Sequence, residues 1–142
     1  MKTDKIIKTD PNKKYRSVLS ASTLDGDTVR NSAGEDLGKI NDIMIDIPTG
    51  RVAYAVLSFG GFLGMGDRLF AIPWSVLKVD EDEKVFILDI DKSVLENAPG
   101  FDKNNWPDMS DTTWGAKVFN YYKAEPYWDN VERKTLTGGR SL

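Results

Sequence analysis

The chain has 142 residues, 40% hydrophobic and 29% charged, with no cysteine and no histidine. That length supports one domain with a real core plus extensions, and falls short of two domains and a linker. The missing residue types exclude disulfides, thiolate nucleophiles, imidazole bases and imidazole metal ligands, so the expectation is a cytoplasmic protein that is not an enzyme.

The formal charge of −3 is unevenly spread. Residues 1–16 hold Lys2, Lys5, Lys8, Lys13, Lys14 and Arg16 against Asp4 and Asp10, a net of +4, which leaves −7 on the rest of the chain. Residues 1–14 read as a disordered basic arm. Such an arm on an acidic body attracts polyanions without reading sequence. The longest plainly apolar run, Val52 to Leu57, is far below the roughly 20 residues that a spanning helix needs.

Ordered structure is expected from Tyr15, with a short strand to Ser20, a turn over Ala21–Asp27 and a strand at Thr28–Asn31. From Gly38, the apolar residues Ile40, Ile43, Ile45 and Ile47 are interleaved with Asn41, Asp42 and Asp46. The alternation changes phase between Ile40 and Ile43, which predicts a bulge that bends the strand. Pro48-Thr49-Gly50 supplies a hairpin turn, Pro presetting one dihedral and Gly accepting positive φ. Arg51–Phe59 is apolar at nearly every position, so both faces of that strand need cover. Past the loop Gly60–Gly66, strands are expected over Asp67–Ile72, ended by Pro73, over Trp74–Asp80, and over Lys84–Ile90 after a turn at Glu81–Glu83. In the last strand Val85 and Ile87 share one face, Phe86 and Leu88 the other. Five or six short strands at this spacing predict an all-β fold, a small closed or nearly closed barrel over residues 15–91.

Beyond Asp91 the pattern turns helical. Ser93–Ala98 reads as a short helical turn halted by Pro99-Gly100, and Ser110–Tyr122 as a helix capped by Ser110 or Asp111. Trp114, Val118 and Tyr121 or Tyr122 fall on one face of it. Gly115 costs that helix roughly 1 kcal/mol relative to Ala. Eight of the chain's fifteen aromatics lie after Gly100, so residues 92–128 are read as an extension that packs on the barrel or on a partner. Residues 129–142, polar with Gly138-Gly139, read as a flexible tail.

Four motifs in order resemble the PRC-barrel domain family across Ser17 to Asp91. They are Val29-Arg-Asn-Ser-Ala-Gly-Glu-Asp-Leu-Gly-Lys-Ile-Asn-Asp-Ile-Met-Ile-Asp46, the Thr49-Gly50-Arg51 turn, Tyr54-Ala-Val-Leu-Ser-Phe-Gly-Gly61, and Phe70-Ala-Ile-Pro-Trp-Ser-Val-Leu77. The resemblance implies a small barrel of the kind shared by the cytoplasmic part of the photosynthetic reaction centre H subunit, by the C-terminal domain of ribosome-maturation factors, and by small stand-alone bacterial and archaeal proteins. The segment Trp106-Pro-Asp-Met-Ser110 makes the chain most similar to the stand-alone group. The membrane span of the first relative and the second barrel of the next are not found in this sequence. The family carries no catalytic motif across, because a shared fold does not imply shared chemistry.

No catalytic, cofactor-binding or metal-ligating set emerges from the remaining residues. Asp42 and Asp46 lie four apart on a strand, ~13 Å by strand rise, too far for a paired acid and base. Asp80-Glu-Asp-Glu83 is an acidic hairpin tip without the glycine-turned oxygen spacing of a calcium loop. The Gly60–Gly66 loop lacks the Lys-Ser/Thr of a phosphate loop and opens no helix. Within it, Phe62, Leu63 and Met65 either fold over an open end of the barrel or project as a contact for another chain. Trp106, Trp114, Phe119, Tyr121 and Tyr122 cover the barrel or bury against a second copy. Lys103, Lys117 and Lys123 are too few, amid acids, for a nucleic-acid stacking platform.

The function expected is therefore a protein-interaction or assembly module that self-associates, a dimer being favoured on symmetry grounds. Its contact residues are Phe62, Leu63, Met65, Trp106, Trp114, Phe119 and Tyr122. Two alternatives stand beside it: a peripheral membrane accessory of reaction-centre or electron-transfer type docked through residues 1–16, and a ribosome- or RNA-associated factor.

Overall fold

Alternating apolar residues build six strands into one curled sheet, with short helices before and after it in the chain. The computed structural model describes residues 19–60, 67–80 and 82–128. The order is α1 (Ala21–Leu24), β1 (Thr28–Arg30), β2 (Asp36–Asp46), β3 (Arg51–Gly60), β4 (Asp67–Pro73), a 3₁₀ turn (Trp74–Val76), β5 (Leu77–Asp80), β6 (Val85–Leu88), α2 (Lys92–Glu96) and α3 (Thr112–Tyr121). The sheet runs β4-β3-β2-β1-β6-β5. Its pairs are antiparallel except β1 with β6, where Val29 lies beside Phe86 and Arg30 beside Ile87. That parallel pair sits inside the sheet and joins the first strand of the chain to the last, which wraps the strands around a shared interior.

The curl has identifiable causes. The β2–β3 register slips between Ile40 and Asp42 and again between Met44 and Ile45, and each extra residue on one strand bends the ribbon. The first slip falls where the change of phase predicts a bulge. Gly38 has φ of 116°, and a Cβ there would lie 2.1 Å from the Ser58 carbonyl oxygen, so only glycine fits the crossing of β2 and β3. At the other end of this pair the turn before Arg51 closes with the Gly50 N–H donating to the Asp46 carbonyl at 2.8 Å. The Asp46 carboxylate accepts from the Thr49 N–H and hydroxyl.

Val29, Leu37, Ile40, Leu57, Phe70, Ile72, Phe86 and Leu88 are each at most 2% exposed and fill the interior. Phe86 and Leu88 supply the inward face of β6. Asn31, 5% exposed, is a buried polar pin. Its amide donates to the Glu35 carboxylate and the Ile90 carbonyl, and its oxygen accepts from the Ala33 and Glu35 N–H groups. With donors and acceptor all satisfied, it ties the exit of β1 to the chain just past β6.

Two local expectations change, and residues 15–18 of the expected first strand lie outside the described residues. The turn over Ala21–Asp27 contains the single helical turn α1, because the Ser20 hydroxyl accepts from the Thr23 N–H and caps it. Trp74–Asp80 is split into a 3₁₀ turn and β5, since Pro73 ends β4 where the chain must cross from one end of the sheet to the other. The sheet is curled rather than cyclic, so β4 and β5 remain its two ends. Phe101 covers β4: it exchanges backbone hydrogen bonds of 2.9 and 2.8 Å with Leu69. Gly100 permits that approach, as a Cβ would sit 2.8 Å from the Phe70 ring and 2.9 Å from the Leu69 carbonyl.

Candidate functional site

The segment after α2 forms two different surfaces from one supply of aromatics. In α3, Asp111 caps the first turn by accepting from the Thr113 N–H at 2.9 Å. Gly115, Val118, Phe119 and Tyr122 then recur at helical spacing and form the buried stripe. The stripe lies against Tyr54 of β3, whose ring is 5.4 Å from both Trp114 and Phe119. Residues 53–57 of β3 are all buried, and α3 is the cover over Tyr54. Gly115 is the closest approach: a Cβ would lie 2.7 Å from the Tyr54 hydroxyl and 2.8 Å from Trp128.

Three side-chain bonds clasp this cover to the rest of the chain. Tyr121 donates to the Val94 carbonyl at 2.6 Å, Tyr127 donates to the Asp46 carboxylate at 3.2 Å, and the Arg51 guanidinium donates to the Tyr127 carbonyl at 3.4 Å. Two buried hydroxyls, those of Tyr54 and Tyr122, have no hydrogen-bond partner among the described residues. Burial pushes both upward from the ordinary tyrosine range, helped by Tyr127 beside Tyr54 and Tyr121 beside Tyr122. Tyr127 is pushed up to about 12 by burial and then by the Asp46 carboxylate, with Arg51 opposing.

The second surface is open. Trp106 is 37% exposed, yet its ring is held: Nε1 donates to the Lys103 carbonyl at 2.9 Å, and Phe101 packs against it at 5.2 Å with a 59° tilt. Pro99, Phe101, Asn105, Trp106, Pro107 and Trp114 line a cleft of about 200 Å³. Beside it the Asp108 carboxylate accepts from the Ser110 N–H and hydroxyl, and these bonds hold it below its ordinary value.

A larger cavity of about 680 Å³ lies at the far end of β2 and β3, among Asp36, Lys39, Ser58, Phe59, Lys92 and Glu96. The Lys92 ammonium stands 5.9 Å above the Phe59 ring. Both charge signs line it. At the acidic hairpin tip, Asp80 accepts from the N–H groups of Asp82 and Glu83, and Glu83 pairs with Arg30 at 3.2 Å. Among the described residues no three acidic side chains converge as a metal site, and no helix is long and apolar enough to cross a membrane.

Of the residues singled out from sequence, Trp106 and Trp114 meet at the small cleft, whereas Phe119 and Tyr122 are 1% and 8% exposed and packed within the chain. Phe62, Leu63 and Met65 lie outside the described residues, as do residues 1–16. Sequence reasoning missed Phe101 as the residue that bridges to β4, and read Gly115 as a cost to the helix when it is the point of closest packing. A glycine at the centre of an otherwise aromatic helical stripe is the signal that marks such a contact.

No curated protein matches the chain. Among solved structures, a 16S ribosomal RNA processing protein, RimM, from Pseudomonas aeruginosa aligns with a TM-score of 0.37 and 19% identity. The alignment covers 53% of this chain and 45% of that one, so the chain spans less than half of that protein's length. The PRC-barrel domain profile matches residues 17–95, which takes in all six strands and most of α2, and on that match the chain belongs to the PRC-barrel domain family.

Proposed function

We propose that this PRC-barrel protein is a non-enzymatic, cytoplasmic interaction module that self-associates, with the Trp106 ledge in its contact. The observation that carries the reading is a tryptophan left open to solvent while its indole N–H and one edge are already fixed by its own chain. Ordering a side chain at an interface costs free energy, and a ring held beforehand avoids that cost. Tryptophan is also among the residue types that dominate binding energy when they sit in a pocketed patch. The acidic residues with resolved partners support a non-catalytic role, because Asp46, Asp80, Asp108 and Asp111 are each engaged in a turn or a cap.

Sedimentation velocity of the full chain at micromolar concentration tests the reading. The expected result is a two-fold dimer whose dissociation constant rises at least about tenfold in Trp106→Ala, the change worth ~1.4 kcal/mol. A strictly monomeric particle removes self-association.

A further inference from the structure

The acids around the cleft beside Trp106 outnumber the cations. Asp102 follows Phe101, Asp108 follows Pro107, and Asp111 caps α3, all three exposed, against Lys103 and the Arg68 guanidinium, which stands 2.9 Å from where a Cβ on Gly100 of the cleft wall would lie. The cleft itself is aromatic, with Phe101, Trp106 and Trp114 in its wall. Ring faces attract cations through their quadrupole, indole most strongly. A volume of about 200 Å³ suits one side chain rather than a helix, whose diameter with side chains is roughly 10 Å or more. The recognisable ligand is therefore a cationic side chain on an extended segment.

The chain itself carries a run of cationic side chains. Residues 1–16 hold six Lys or Arg and a net charge of +4, against −7 on the remainder. We propose that the cleft of one protomer takes a Lys or Arg side chain from residues 1–16 of a second copy, and that the exchange is reciprocal. Reach does not limit it, since the eighteen residues before Leu19 span up to roughly 60 Å when extended. Reciprocal exchange also satisfies the closed two-fold symmetry that favours dimers over open chains. This inference rests on the self-association reading and names what the contact recognises.

The test uses full-length protein, mixed from ¹⁴N- and ¹⁵N-labelled pools, with zero-length carbodiimide cross-linking and peptide mapping. The expected products join Lys5, Lys8, Lys13 or Lys14 to Asp102, Asp108 or Asp111 in peptides of mixed isotope. They should fade as salt rises from about 50 to about 500 mM, as exposed ion pairs are screened. In the full chain carrying K5E, K8E, K13E and K14E together, the dimer should weaken at least about tenfold while circular dichroism stays unchanged. A dimer of unaltered affinity in that variant overturns the arm exchange and leaves self-association standing. A monomer overturns both. Cross-links confined to single-isotope peptides overturn the exchange between copies, and a lysine-dependent flotation with anionic vesicles in the absence of those cross-links assigns the arm to a lipid surface instead.

Discussion

Phe119 and Trp106 belong to the same aromatic-rich extension and have opposite surroundings. Phe119 is 1% exposed, between Tyr54, Tyr127 and Trp128. Trp106 is 37% exposed and meets Phe101 and a carbonyl. The difference lies in backbone placement rather than in hydrophobicity. Helix α3 repeats its apolar residues on one stripe and lays the stripe over β3, whereas Trp106 stands in a stretch of turns whose polar neighbours engage the chain locally. Aromatic content thus says that a segment packs, and the backbone decides which rings cover and which are displayed.

Removing a covering ring should have the largest effect. Phe119→Ala is expected to cost about 3–5 kcal/mol, the usual range for a buried Phe, read as a lower urea midpoint. Gly115→Val comes next. It adds volume where a Cβ already falls within 2.8 Å of the Tyr54 hydroxyl and the Trp128 ring, and a loss of about 1–3 kcal/mol is expected for such overpacking. Ordinary helix propensity predicts a gain for replacing that glycine, so a measured gain would show that the α3 contact is loose.

Tyr54→Phe probes the same contact with a smaller effect of opposite sign. Its hydroxyl is buried without a partner among the described residues, so deleting it should leave stability unchanged or raise it by up to about 1 kcal/mol. The tyrosines also set a pH response. Tyr54, Tyr122 and Tyr127 are all raised above the ordinary value of 10.0, so at alkaline pH the folded chain holds protons that the unfolded chain has released. Their contribution is complete below pH 10 and is lost as pH rises through about 12, the value for Tyr127. Denaturation midpoints should fall over that window, and Tyr127→Phe should flatten the fall. Smallest of all, Trp106→Ala should shift the stability of an isolated protomer by less than about 0.5 kcal/mol, measured at concentrations below the dimer range. A larger loss would mean that Trp106 belongs with Phe119 as cover.

Much of the sheet was legible because its signals are local. The bulge after Ile40, the turn ending at Gly50 and the division of β6 into two faces each follow from a few adjacent residues. The parallel pairing of β1 with β6 was not, because nothing within either strand names a partner more than fifty residues away. Nor was Phe101, since one residue bridging to Leu69 creates no periodicity. For the site, sequence selected Trp106 and Trp114, which the cleft brings together, but could not separate them from Phe119 and Tyr122. That distinction requires the rotation of α3 about its own axis, which Gly115 fixes through its contact with Tyr54 and Trp128.

The bridge from Phe101 to Leu69 also has a protective consequence. An uncovered strand rim is a template on which a neighbour's backbone can add, and the neighbour then offers the same rim to the next. By occupying β4 at Leu69, and with Pro73 supplying no N–H further along, the chain blocks that open-ended growth with its own backbone. An association of the kind proposed for Trp106 can then stop at a fixed number of copies.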